Sequence, residues 1–227
     1  MKDLNNSTLF LVSTPIGNLS DITLRALETL KNVDIIACED TRHSLKLLNH
    51  YNISKKLISY HSHNKTKSAN GIIKLLKEGK TIALITDSGT PCISDPGVLL
   101  VNKCLEENIN VIPIPGPSAF TALLSSSGLR SDKFFFHGFL SPKKGRQTKQ
   151  LLEMEKIEAT HIIYESPFRI IKLLENINNI FPKKVLCIGK ELTKINEKII
   201  KGNYETILKE INKQKIVGEY TILIANY

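Results

Sequence analysis

The chain has no tryptophan, and its four cysteines, Cys38, Cys92, Cys104 and Cys187, stand far apart. Neither CxxC nor the close Cys/His spacing of a zinc site occurs, so buried, reduced thiols are expected rather than a metal centre. The HxH pair His61 and His63 has no third ligand close by and is read as a polar loop after a strand; no metal is expected. No apolar run approaches the roughly 18 residues of a membrane span, and MKDLNNSTLFLVS has no cationic segment leading into an apolar one. A cytoplasmic protein without membrane contact is therefore expected. Also missing are GxGxxG after a strand and GxxxxGK[ST], which excludes the usual dinucleotide- and phosphate-binding loops. An apolar fraction of 41% with 23% charged residues fits a soluble enzyme and a soluble binding module equally well.

What is present is a regular alternation. Apolar stretches of strand length occur at 9–13, 33–38, 57–60, 81–86 and 110–113, and the helix-period segments DITLRALETLK, TRHSLKLLNHY, SANGIIKLLKEG and GVLLVNKCLEEN lie between them. This pattern predicts a mostly parallel sheet covered on both faces. Asp21 is the expected cap before Ile22, Gly79 the expected stop after 75–78, and Asp95 with Pro96 the expected start of the next helix. A carboxylate at Asp95 also invites a reading as a base, but the cap explains it. IPIPGPSA, at 112–119, interrupts the pattern and marks a joint. Beyond it a helical FTALLSSSG precedes strands at 134–138, 160–164, 185–189, 198–201 and 220–225, with helices at 168–177 and 204–212. The expected fold is α/β: two αβα lobes, residues 1–115 and 116–227, with mixed, mostly parallel sheets and a ligand cleft between the lobes.

Charge is unevenly divided. Residues 1–116 hold 13 Lys/Arg and 11 Asp/Glu, a net +2, whereas residues 117–227 hold 18 and 11, a net +7. The densest cluster is SPKKGRQTK, where Lys143, Lys144, Arg146 and Lys149 surround Gly145. Such a segment suits phosphate contacts on RNA, and equally a solvated lysine-rich loop.

Three loops fall at the carboxyl ends of the predicted first, fourth and fifth strands: STPIGNLSD, TDSGTPCISDPG and PIPGPSA. Each pairs glycine, which lets backbone approach closely, with proline, which presets a turn. A ligand held by backbone and shape more than by charge is expected, and a bulky side chain at Gly89 should block it with little loss of folding.

TPIGNLSDITLRALETL, ACEDTRH, DSGTPCISDPG, PGPSA, YESPFR and KELTK occur in order over almost the whole chain. Together they resemble the ribosomal RNA small subunit methyltransferase I family, a branch of the tetrapyrrole methylase superfamily. Tetrapyrrole-modifying relatives carry a GGDP-like sequence where this chain has Ser88-Gly89-Thr90-Pro91, which points to the RNA-modifying branch. The resemblance implies a homodimer that uses S-adenosyl-L-methionine to methylate the ribose 2'-oxygen of a cytidine in the decoding region of 16S rRNA, within the small ribosomal subunit. A tetrapyrrole methylase and a non-catalytic binder of RNA or an adenosine-type ligand are the alternatives. The chain stops after GEYTILIANY, without the extra C-terminal segment some members carry.

The resemblance places cofactor contacts at Pro15, at Ser88, Gly89, Thr90 and Ile93, at Ser118 and Ala119, and in the second half at Glu165, Glu191 and Leu192. Pro15 as a turn proline and Ser118 as a helix cap are the plain structural readings. Methyl transfer onto a hydroxyl calls for alignment and for a base or a cation near the oxygen. Glu39, Asp40 and Arg42, Arg169, and Lys190, Glu191 and Lys194 are the candidates, with Asp40 capping a helix and Arg42 pairing with an acid as the structural alternative.

Overall fold

The structure, a computed structural model, describes residues 7–60, 65–213 and 215–227, so the pair His61 and His63 lies outside the described residues. The chain divides into two units, Met1–Ser118 and Ala119–Tyr227.

In the first unit the strands β1 (Thr8–Val12), β2 (Ile35–Cys38), β3 (Lys56–Ser59), β4 (Ile82–Leu84) and β5 (Asn110–Ile114) form one parallel sheet in the order β3-β2-β4-β1-β5. The helices α1 (Leu24–Asn32), α2 (Thr41–His50), α3 (Lys65–Lys77) and α4 (Val98–Glu106) connect them. Because successive strand side chains point to opposite faces, the continuous apolar runs serve two cores at once. Phe10, Val12, Ile36, Cys38 and Ala83 join Ala26 and Leu30 of α1 and Leu47 and Leu48 of α2. Leu9, Ile35, Ala37, Ile82 and Leu84 join Ala69, Ile72 and Leu76 of α3 and Leu100 and Cys104 of α4. Each fully buried Leu or Ile contributes roughly 1.5–3 kcal/mol, so the two layers hold the sheet between its helices.

Helix punctuation departs from the sequence reading at two of three places. Asp21 does not cap α1; it ends a short 3-10 turn, Leu19–Asp21, capped by Asn18, and α1 is capped by Thr23, whose hydroxyl accepts from the Ala26 amide at 3.1 Å. Asp95 does not cap α4, which begins only after Gly97 and has no side-chain cap. The intervening backbone explains this, since Cys92 and Ser94 both take positive φ and Gly97 a φ of 153°. A chain folded back on itself there cannot start a helix at Pro96. Gly79 does terminate α3: with φ 85° it donates to the Leu76 carbonyl, and Lys80 donates to that of Leu75, the paired bonds of a glycine-terminated helix.

Pro113, the expected last residue of its strand, lies inside β5, which runs one residue further. β5 is an edge strand, where proline is tolerated. Ile114 turns its carbonyl toward β1 to accept from Ser13, so its neighbour Pro113 faces outward, where its carbonyl accepts from Arg25 at 3.3 Å.

In the second unit β6 (Phe134–Phe139), β7 (Ala159–Glu165), β8 (Leu186–Lys190), β9 (Lys198–Gly202) and β10 (Tyr220–Asn226) form a sheet in the order β6-β7-β10-β8-β9. β6 and β7 are parallel, while β10 runs antiparallel to β7 and β8, and β8 to β9. The β8–β9 pair follows from a short connection: β9 begins only eight residues after β8 ends, too few for a crossover helix. α6 (Lys144–Glu155), α7 (Ile170–Ile180) and α8 (Tyr204–Asn212) bury Leu151, Met154, Leu173, Ile177 and Ile207 against Ile163, Ile188, Ile222 and Ile224. On α5 (Ala119–Ser127), Leu123 packs against Gly189, where an added Cβ would lie 3.0 Å from it. SPKKGRQTK is not a loop, for Lys144 opens α6 and Lys143 is its cap position.

Candidate functional site

The three proline- and glycine-bearing loops leave β1, β4 and β5, which are neighbours in the first sheet and run the same way, so all three emerge at one edge. They are joined there. Thr14 and Gly89 exchange two backbone hydrogen bonds, 2.8 and 3.1 Å, and the Thr14 hydroxyl donates to the Thr86 carbonyl at 3.2 Å. The Thr90 hydroxyl donates to the Pro117 carbonyl at 3.2 Å, so its contact with the Ser13 hydroxyl, 3.0 Å, is one it accepts. A Cβ on Gly116 would lie 2.8 Å from that of Ser13, and Gly89 holds φ 82°. Glycine is required at 116 by close approach and at 89 by conformation.

This lattice sorts the expected ligand contacts of the first unit. Gly89 is buried with its N–H and C=O both engaged by Thr14, and Thr90 has its hydroxyl on Pro117, so these two shape the loop. Pro15 is buried, Ser88 and Ser118 are half-buried, and Ile93 is exposed. Ala119 is the first residue of α5. The sequence reading overlooked Ser13 and Thr14, whose only signal was their position directly after an apolar strand.

Carboxylates gather at the neighbouring strand ends. Asp40 follows β2 and caps α2, accepting from the Arg42 amide at 2.8 Å, and the Arg42 guanidinium reaches it at 3.5 Å while remaining 90% exposed. The amide of Arg42 holds the Asp40 carboxyl below its ordinary range. Asp87, just past β4 and missed in the sequence, accepts from the Asp40 amide at 3.3 Å. Both add to burial in pushing up the thiol of Cys38. Glu39 is half-buried beside them. Burial also raises the thiols of Cys92, Cys187 and Cys104, the last to about 11, so these cysteines are poor nucleophiles.

In the second unit Glu165 ends β7 with its side chain fully buried. Its Oε1 accepts from the Ser166 amide at 2.6 Å and from Arg169 Nε at 2.8 Å and terminal guanidinium nitrogen at 2.7 Å, while Oε2 has no partner among the described residues. Lys190 is buried at the end of β8 and donates to the Lys215 carbonyl at 2.9 Å. Glu191, at φ 51°, accepts from Lys194 and from the Glu219 amide, each at 2.9 Å. Burial pushes its carboxyl up, but these donors outweigh it and hold the group below its ordinary value. Its carboxylate fills the place a side chain on Gly218 would need, and Leu192 is buried against Gly189. Among the described residues no cluster of three or more His, Cys, Asp and Glu could hold a metal, and no helix is long and apolar enough to cross a membrane.

Lys143, Lys144, Arg146 and Lys149 are exposed on the first turns of α6, and none makes an ion pair among the described residues. Cations at a helix N-terminus oppose its dipole, each by about 0.3–1 kcal/mol, so the helix itself gives no reason for them.

The family profile for tetrapyrrole (corrin/porphyrin) methylases matches residues 8–208. Curated relatives called ribosomal RNA small subunit methyltransferase I include one from Synechocystis sp., 45% identical over 96% of this chain and 78% of its own length. Another, from Thermotoga maritima, is 42% identical over 96% of this chain and 97% of its own. Among solved structures, a cobalt precorrin-4 methyltransferase aligns over 99% of this chain and 97% of its own, with TM-score 0.74 and 14% identity. Uroporphyrin-III C-methyltransferase from Thermus thermophilus, complexed with S-adenosylhomocysteine, aligns over 95% and 96% with TM-score 0.65 and 16% identity. These structures share the fold, and the sequence relatives narrow it: the chain belongs to the ribosomal RNA small subunit methyltransferase I family of the tetrapyrrole methylases.

Proposed function

We propose that the protein transfers a methyl group from S-adenosyl-L-methionine to the ribose 2'-oxygen of a cytidine in the decoding region of 16S rRNA, acting on the small ribosomal subunit as a cytoplasmic homodimer. The observation that carries the reading is the 42–45% identity, over nearly the whole chain, to relatives named for small-subunit rRNA methylation. The loop lattice supports it, because its residues fit the cofactor. A cationic sulfonium ligand with an adenosine end suits an edge that offers backbone, hydroxyls, the exposed Ile93 and the carboxylates Asp40 and Asp87, and no bound-phosphate machinery. Glu165 belongs to the proposal as well: its buried Oε2 has no donor among the described residues, and a ligand amine or hydroxyl would supply one.

When bound, S-adenosylmethionine supplies the activated methyl group. The contribution of the chain is alignment. Thr14, Gly89, Thr90 and Pro117 are fixed to one another before ligand arrives, so the ordering cost of the loops falls on folding and not on binding. For the hydroxyl proton, the acids this edge offers are Glu39, Asp40 and Asp87. Arg169 and Lys190, also candidates, are tied to Glu165 and to the Lys215 carbonyl, which suits positioning better than proton transfer.

Incubation of the purified protein with small subunits lacking the modification and methyl-tritiated cofactor tests the reading. Label on a ribose of 16S rRNA is expected; label absent from the subunit, or found on a precorrin offered in parallel, would refute it.

A further inference from the structure

The ends of β6 and β7 lie side by side, since these strands are parallel neighbours with Phe139 paired to Tyr164. Beyond β7 the chain makes a tight turn, Ser166-Pro167-Phe168-Arg169, in which both Arg169 and Ile170 donate to the Ser166 carbonyl at 3.2 and 3.1 Å. The buried Glu165 carboxylate clamps this turn from inside, gripping the Ser166 amide at one end and the Arg169 side chain at the other. The turn is therefore rigid, and what it presents is an aromatic ring: Phe168 is 91% exposed. A large apolar side chain gains nothing from that position in the folded chain, and a buried ion pair is a costly way to hold it there. At the neighbouring end of β6, Phe139 is 54% exposed with its ring edge-on to Tyr164, four residues before Phe168 in the chain. Within four to seven residues of Phe139 follow the unpaired cations Lys143, Lys144 and Arg146.

We propose that Phe168 is a base-stacking platform for single-stranded RNA, held out by the Glu165–Arg169 clamp, with Phe139 as a second stacking face and Lys143, Lys144 and Arg146 taking the adjoining phosphates. Rings for bases beside cations for phosphates are the combination that single strands require. A protein partner would find the aromatic pair bordered by unneutralised positive charge; a polyanion finds it complementary. The proposal rests on the reading of the substrate as ribosomal RNA and deepens it by naming the groups that grip the strand.

Binding of a fluorescein-labelled twelve-nucleotide oligocytidylate, followed by anisotropy without cofactor, tests it. Phe168→Ala should weaken binding roughly tenfold, within the about 5- to 150-fold that loss of one aromatic–base stack produces, and Phe168→Tyr should restore it. Glu165→Gln, which retains Phe168 but loosens its turn, should weaken binding in the same direction. Because Phe168 touches so little, Phe168→Ala should keep its far-ultraviolet circular dichroism and its affinity for S-adenosylhomocysteine. Unchanged oligocytidylate binding by a folded Phe168→Ala protein overturns the proposal. So does a sedimentation shift from dimer to monomer in that variant, which would make the face a self-association surface. Phe168-dependent binding by a protein that methylates no ribosomal RNA would remove the activity and leave this surface standing.

Discussion

At the scale of single residues, two positions separate conformation from contact. Gly89 has room for a methyl group, whose nearest neighbour would be Ile16 Cγ2 at an ordinary 3.5 Å, but its φ of 82° is unfavourable for any side chain. Gly89→Ala should therefore cost about 1–2 kcal/mol in urea unfolding, apart from any effect on ligand. The expectation that a side chain there would spare folding does not survive this geometry, and an unchanged unfolding midpoint would show that the loop relaxes. Arg169 illustrates the other case. Removing it strands the fully buried Glu165 carboxylate, so Arg169→Ala should destabilise by about 3–5 kcal/mol, toward the lower end because the guanidinium is partly solvated. Glu165→Gln, which leaves no buried charge, should cost less; the reverse order in thermal unfolding would mean the pair is not what holds the turn.

Elements were legible wherever one period dominated. β1, β2 and β4 announced themselves because both faces are buried, and the bounds of α8 are legible to the residue because its apolar stripe is regular. α6 was not: its inward positions include Gln147, which accepts from Asn176, and its first turn is crowded with Lys, Gly and Arg, so neither its apolar period nor its start signal resembles a helix. The lattice of the candidate site was also hidden, since the Thr14–Gly89 pairing spans 75 residues and no local rule announces it. For α6 the exposed cations give a direct prediction. Replacing Lys143, Lys144 and Arg146 with Ala should lower the slope of log affinity against log salt by about 2 for single-stranded RNA, at roughly 0.7 per phosphate contact, without destabilising the helix. An unaltered slope would leave these residues as solvated surface.

For the molecule as a whole, acid is the condition to watch. His161 is buried on β7 and donates from Nε2 to the Ile157 carbonyl at 3.0 Å, which leaves its Nδ1 to accept from His137 on β6, also at 3.0 Å. Burial, with His161 beside it, pushes His137 down to about 4, and burial lowers His161 too. The unfolded chain takes up protons near pH 6.5 that the folded one refuses, so stability should hold above that value and decline as pH falls from 6.5 toward 4. Urea titrations across that range should show the decline, and His137→Gln should reduce it; an identical decline in the variant would place its origin elsewhere.

The outward-facing Pro113 has a consequence for how the chain behaves among its own copies. An incoming strand docking on β5 finds no N–H at residue 113, because proline has none, and must share the carbonyl there with Arg25. That rim of the first sheet is thus a poorer template for the edge-to-edge stacking by which partly unfolded sheets seed aggregates. Crowded, freshly synthesised chains gain most from that protection, and Pro113→Val, folded or not, should scatter more light on slow heating than the parent.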